Sequence, residues 1–397
     1  MNFSQEIKKE NYFLSQPHQP FFILGIANAF IMMLIFALSY KGVLSLTTSS
    51  LNFHVYALIF TVFTNVFTGF LFTTFPKFCQ APLIKKEYYI KLFYGNLLGS
   101  LVFILGAFTS ELVLILGMLI LFVAQVFIVL KLRQIFKDGT AAEKEDPHWI
   151  LMAQYFGLAG NALFIVSALG LGLEGIAIKV SFYMYLIFLT FSVGQRMIPF
   201  FSHSYAQKDE RFISTVFILL VVKTLLSIFD GNDYVKMGEI AIDILLGLYI
   251  LGEFLKWELK PFTSPPIVWV LQLGLFWLPT ALFISAISLT LELFLDTSFY
   301  FLGVHLLAIG FLTTILIGFG TRVTLGHSGQ PPHADKFVVG LFYFIQVVVV
   351  LRALFSINIA FGWGLNFLFD ISFAAWLVLF LLWGGRYGKV LIYGTKL

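Results

Sequence analysis

H-L-L-A-I-G-F-L-T-T-I-L-I-G-F-G-T-R-V-T-L-G-H-S-G, residues His305 to Gly329, is the stretch whose reading decides the fold. A histidine opens it, about four turns of apolar helix follow, and it ends in Gly320-Thr321-Arg322 and the glycine-flanked His327. The apolar run between these polar groups suits lipid, and ionisable side chains at membrane depth are costly enough to be functional candidates by default. A structural reading also stands. Gly326 and Gly329 would close a helix, and Arg322 would complement its C-terminal dipole or snorkel to the headgroups.

Working outward, the whole chain has the same character. Of 397 residues, 59% are hydrophobic and only 12% are charged, and the mean hydropathy is +0.92. A soluble domain with that composition would expose a large apolar surface. Long apolar runs rather than ten-residue alternation point to helices, not a barrel. The expected class is an all-α, polytopic transmembrane helical bundle forming a single domain over residues 1–397, with a short polar segment over 1–19. Apolar runs near 21–40, 53–75, 92–109, 112–130, 149–171, 176–200, 212–229, 234–255, 267–289, 298–320, 337–358 and 365–384 predict twelve spans.

Charge placement orients them. With the N-terminus inside, the inner segments hold 19 of the 25 Lys and Arg, starting with Lys8 and Lys9, and the outer loops hold only Lys41 and Lys236. That asymmetry predicts that both termini lie in the cytoplasm. Lys179, Arg196, Lys223 and Arg352 fall within spans. The net charge of +4 belongs to this topology and not to nucleic-acid binding. A faint period is also present. Gly194-Gln-Arg196 and Gly320-Thr-Arg322 end the sixth and tenth spans, and Gly69 sits at the matching place in the second. Three units of four helices would follow, each entering behind a proline (Pro20, Pro147 and Pro266), although so few repeated residues also arise by chance.

Cys79 is the only cysteine, which excludes an internal disulfide, a four-cysteine iron–sulfur cluster and covalent c-type haem. ATP-binding, nicotinamide-binding and protease motifs are missing. Seven histidines remain. His54 opens the second span and His305 lies about two turns into the tenth. Both are on the outer side, with an expected difference in depth of roughly 10 Å. Two imidazoles facing one another in a bundle can hold haem axially or share a copper ion, whereas a helix-end histidine bonded to a carbonyl is the structural alternative. Arg196, Arg322 and His327 gather at inner helix ends and suit an anion or substrate site, because a guanidinium forks onto carboxylates. His18, His148, His203 and His333 read as loop histidines. Lys223 and Asp243, near the middle of adjacent spans, would form an intramembrane ion pair or line a proton path, with Glu239 one turn from Asp243.

Together these pieces resemble the NnrS family, haem- and copper-containing bacterial membrane proteins linked to nitric oxide metabolism and nitrosative stress. The resemblance rests on Gln19-Pro-Phe-Phe22, His54 with Gly69-Phe-Leu-Phe-Thr-Thr-Phe-Pro76, and Gly157-Leu-Ala-Gly-Asn-Ala-Leu-Phe164. It continues in Gly194-Gln-Arg-Met-Ile-Pro-Phe-Phe201 and in His305 with Thr321-Arg-Val-Thr-Leu-Gly-His-Ser-Gly329. Family members show His-x-His-Glu at the start of the second helix, where this chain reads Asn52-Phe53-His54-Val55, and Arg-Pro-Phe-Phe where it has Gln19. The resemblance therefore implies b-type haem on His54 and His305 more safely than copper, with nitric oxide or a related small molecule as ligand and an unknown electron donor. A transporter or metal exporter using the intramembrane charges, and a non-catalytic haem-based sensor or assembly partner, are the competing readings. Identical residues would serve storage, reduction or sensing.

Overall fold

In the computed structural model, which describes residues 11–229 and 231–397, apolar runs without internal alternation have folded into helices, the conformation that satisfies its own backbone in lipid. The protein is 81% helix, with no strand among the described residues. Lys8, Lys9 and most of the expected polar N-terminal segment lie outside the described residues.

Twelve helices follow a short turn at Tyr12–Leu14. They are α1 His18–Tyr40, α2 Ser50–Phe78, α3 Lys86–Thr109, α4 Glu111–Asp138, α5 Glu145–Leu171 and α6 Glu174–Phe201. The second half comprises α7 Phe212–Ile228, α8 Asp233–Lys256, α9 Pro266–Leu295, α10 Leu302–His327, α11 Lys336–Phe361 and α12 Phe367–Tyr393. Ten of them are long and apolar enough to cross a membrane, and the protein is a multi-pass membrane protein. The other two, α7 and α8, differ from the expectation of twelve self-evident spans. The α7 helix has only 17 residues. The α8 helix is long enough but carries Asp233, Lys236, Glu239, Asp243, Glu253 and Lys256. These two helices pack on each other, and α8 packs on α9.

The faint glycine period reappears as architecture. In each group of four helices the first pairs with the second and the third with the fourth, and α4 meets α5, α8 meets α9 and α12 meets α1, which closes the ring. The second helices of the three groups (α2, α6 and α10) run through the interior and touch one another. Each contains a stretch of wider π-helical turns: Ala57–Phe63, Val180–Ile187 and Leu306–Thr313. Hydroxyls reinforce these turns in α2 and α10, with Thr64 donating to the Ile59 carbonyl at 2.8 Å and Thr313 to the Ala308 carbonyl at 2.8 Å, each five residues back. Tight outer hairpins need small residues. A Cβ at Gly106 would collide with the backbone of Leu114, and one at Gly117 with the backbone of Phe103, so α3 and α4 approach backbone to backbone.

Even crossing numbers put both described ends of the chain together. Gly394 packs on the Tyr12 ring and the Leu397 amide donates to Gln330 Oε1 at 2.8 Å. Cys79 is buried just beyond α2, and burial pushes its thiol up to about 11. A cysteine introduced elsewhere is thus read against a silent background. With an impermeant maleimide, Thr263→Cys should label from the side of the termini and Gly231→Cys from the opposite side. Labelling of both from one side would mean that α7 and α8 do not cross.

Candidate functional site

Opposite the chain termini, the entrances of α2, α6 and α10 and the end of α1 surround a cavity of about 700 Å³. Both His54 and His305 line it. Their depths differ less than the sequence suggests. His54 is the fifth residue of α2 and His305 the fourth of α10, because Tyr300 and Phe301 adopt left-handed backbone conformations (φ +40° and +60°) and delay the start of α10 to Leu302. The two imidazoles are close enough to act on each other electrostatically.

Their hydrogen bonding differs in a way that matters chemically. His305 Nδ1 lies 2.9 Å from the Phe301 carbonyl oxygen. A carbonyl only accepts, so Nδ1 carries the proton and Nε2 keeps its lone pair. That is the orientation in which ligand histidines are usually held. His54 stacks on Phe36, with ring centroids 4.0 Å apart, and its Nδ1 is buried with no hydrogen-bond partner. Among the described residues no group of three or more His, Cys, Asp and Glu side chains is arranged to hold a metal ion. The cavity lining offers the two imidazoles together with the carboxylates of Glu239 and Glu292.

Two cationic residues of this cavity were not among the predicted site residues. Lys179 on α6 lines it. It stands 15 residues before Gly194, as His54 stands before Gly69 and His305 before Gly320. The three are equivalent positions of the repeat, and the repeated glycines alone give that register. Arg352, on α11, also lines the cavity and acts electrostatically on both imidazoles.

The cavity reaches Lys223, Glu239 and Tyr183 at its far side. Lys223 Nζ lies 2.5 Å from Asp243 Oδ1, with side chains 2% and 0% exposed, and 5.1 Å from the centre of the Tyr183 ring. The expected intramembrane pair is present. It explains how α8 can carry an acidic face, since Asp243 and the buried Glu239 both point inward.

At the termini end the structure gives Arg196, Arg322 and His327 separate partners. Arg196 Nη1 is 2.7 Å from Asp146 Oδ2, which also receives Lys208 on its other oxygen at 3.0 Å. Arg322 lies over the Phe201 ring, 3.7 Å from its centre. His327 Nδ1 is 2.6 Å from Gln16 Oε1, and its ring centre is 5.0 Å from that of His18. His203 and His333 lie exposed outside the helices, as expected of loop histidines, whereas His148 is exposed in the first turn of α5 and not in a loop, and His18 is buried. It begins α1 and is only 2% exposed, because the helix starts earlier than the apolar run does.

Fold and cavity define a polytopic all-helical membrane protein built on a pseudo-three-fold ring, with a histidine-bearing cavity at one end. The chain belongs to the NnrS family: the model described as NnrS protein matches residues 12–393. No curated protein matches the chain.

Removing one partner of a buried pair strands the other, at a cost of about 3–5 kcal/mol, whereas removing both is far milder. Lys223→Met and Asp243→Leu should each lower the melting temperature of the detergent-solubilised protein, and the double variant should melt nearer the wild type. A double variant as unstable as the worse single one would show that the pair is not what holds α7 to α8.

Proposed function

We propose that the protein is a haem-binding membrane protein that handles nitric oxide or protects the cell from it, with His54 and His305 as axial ligands of one b-type haem. The observation that carries this reading is the placement of both imidazoles on one cavity of about 700 Å³, a size within the usual range for ligand sites. The remaining lining fits such an occupant. Phe36, Phe63, Phe182, Ile309 and Trp376 offer apolar faces, and Lys179 and Arg352 offer cations. The family resemblance supports the nitric oxide link, and together with the positive-inside asymmetry it supports a bacterial cytoplasmic membrane with the termini inside.

Each residue has a definable task. The Phe301 carbonyl fixes the His305 tautomer and aims Nε2 away from its own helix. Phe36 holds the His54 ring by stacking, while its buried Nδ1 has no protein partner. The π-helical turns that follow directly after His305 and shortly after His54 offset the helical phase, letting these two side chains face inward while the next turns still pack. Haem bound here would supply redox chemistry and affinity for a diatomic ligand. Copper fits less well, because Asn52 occupies the position of the family's first histidine and, among the described residues, no three His, Cys, Asp or Glu side chains are grouped to hold a metal ion.

Ion transport is the second reading, favoured by one observation: the cavity extends to Lys223 and Glu239. A visible spectrum separates the two. The purified protein should show a Soret band that His54→Ala or His305→Ala abolishes or shifts, with His148→Ala as the unaffected control. A protein without a Soret band after haem supplementation, or ligand variants with wild-type spectra, would end the haem assignment and leave transport.

A further inference from the structure

We propose that Arg352 is the anion-receiving group of the cavity: it takes a carboxylate or oxyanion of whatever occupies the space beside His54 and His305. The inference shares the cavity with the haem reading but does not depend on iron ligation.

Arg352 lies nine residues before the end of α11, about 13 Å along the helix from it. A guanidinium at such depth normally pairs with a carboxylate or reaches the interface. This one reaches one turn toward the helix end, to Ser356, and meets no acid there. Among the described residues no carboxylate forms an ion pair with it. Its contacts are neutral: Nη1 donates to Ser356 Oγ at 2.6 Å, and its Cζ lies 5.1 Å from the centre of the Phe355 ring and 6.0 Å from that of Tyr300. The acids that share the cavity are engaged elsewhere. Glu292 accepts the Phe299 amide at 2.8 Å, and Glu239 acts electrostatically on Lys223 at the far side.

The same contacts make the group ready rather than merely stranded. Ser356 Oγ donates in turn to the Tyr300 carbonyl at 3.0 Å, so the hydroxyl is oriented to accept from the guanidinium. Ring contacts hold the plane of the fork, and most of its five N–H donors remain unclaimed by protein. Paired guanidinium–anion hydrogen bonds are the strong kind, and they gain in a site walled by aromatic side chains. A fixed cation beside two neutral imidazoles is a poor neighbour for a bare metal cation. It suits a ligand that brings negative charge with it.

Two sources share this chemistry: acidic side groups on a large planar ligand, and a free oxyanion. The full-length protein, prepared without haem in detergent, distinguishes them by binding titrations with haem, with its dimethyl ester (which lacks the acidic groups) and with nitrate. Ligand carboxylates are the source if the wild type binds haem about ten- to a hundredfold more tightly than the ester, while Arg352→Gln loses the preference and Arg352→Lys keeps part of it. A free oxyanion is the source if haem and ester bind alike, or neither binds, but nitrate binds to the wild type and not to Arg352→Gln. The haem–ester comparison and nitrate titration on the wild type keep the proposal testable if Arg352→Gln does not fold. Absence of both the haem–ester preference and nitrate binding, or retention of either in full by Arg352→Gln, overturns it. Failure of haem to bind at all would count against the proposed function and leave the nitrate arm standing.

Discussion

Lipid offers no hydrogen bonds, so each backbone group at membrane depth must find its partner inside the protein. The widened turns of α2, α6 and α10 are the point on which the rest of this structure depends. A π-helical stretch changes which carbonyl each amide reaches, from four residues back to five. At the ends of the widened turns of α2 and α10 the Thr64 and Thr314 amides reach the Ile59 and Ile309 carbonyls, and the Thr64, Thr313 and Thr314 hydroxyls also donate to Ile59, Ala308 and Ile309. The change of helical phase is thus made within a continuous helix. It lets the outer turn of each interior helix present a polar residue to a common space while the next turns pack against the other two interior helices. Cavity and core are thereby made from the same three helices.

Much of the fold was legible because apolar runs and proline entries mark membrane helices directly. The exceptions share one cause, which is that a side chain's partner lies far away in sequence. Lys223 and Asp243 could be matched from sequence because each stands mid-span in adjacent helices, but only their contact shows how the polar α8 and the short α7 are held together. His18 looks like a loop residue because its neighbours Gln16, Pro17 and Gln19 are polar, yet α1 extends back to include it and it packs on His327. The start of α10 was misplaced because left-handed backbone at Tyr300 and Phe301 is unusual for aromatic residues and has no signature in a hydrophobic stretch.

The cavity was half legible. Histidines in apolar segments stand out, so His54 and His305 were visible, and the repeat that relates Gly69, Gly194 and Gly320 already held the register of Lys179. What the sequence cannot express is tautomer and orientation. The Phe301 carbonyl that sets His305 is four residues back on a backbone whose course is unusual. Arg352 was visible as a charge inside a span, but its significance lies in the lack of a carboxylate partner, and that is a statement about three-dimensional neighbours. At the termini end the reverse happened. Arg196, Arg322 and His327 look alike in sequence because they end equivalent helices or close the same motif. Asp146, Phe201 and Gln16 then draw them to separate partners.

The two ends of the bundle consequently differ in electrostatic character, and the difference follows from pairing rather than from composition. At the termini end Asp146 collects Arg196 and Lys208, and Arg386 pairs with Asp335, so these cations meet carboxylates within the protein. Inside the cavity, Lys223 has Asp243, but Lys179 donates to the neutral Ser227 carbonyl and Arg352 to the neutral Ser356 hydroxyl. A membrane interior penalises unanswered charge. Lys179 and Arg352 thus meet no carboxylate partner among the described residues although Glu239 and Glu292 line the same space, so it is the pairing of side chains and not the count of charges that sets this end apart.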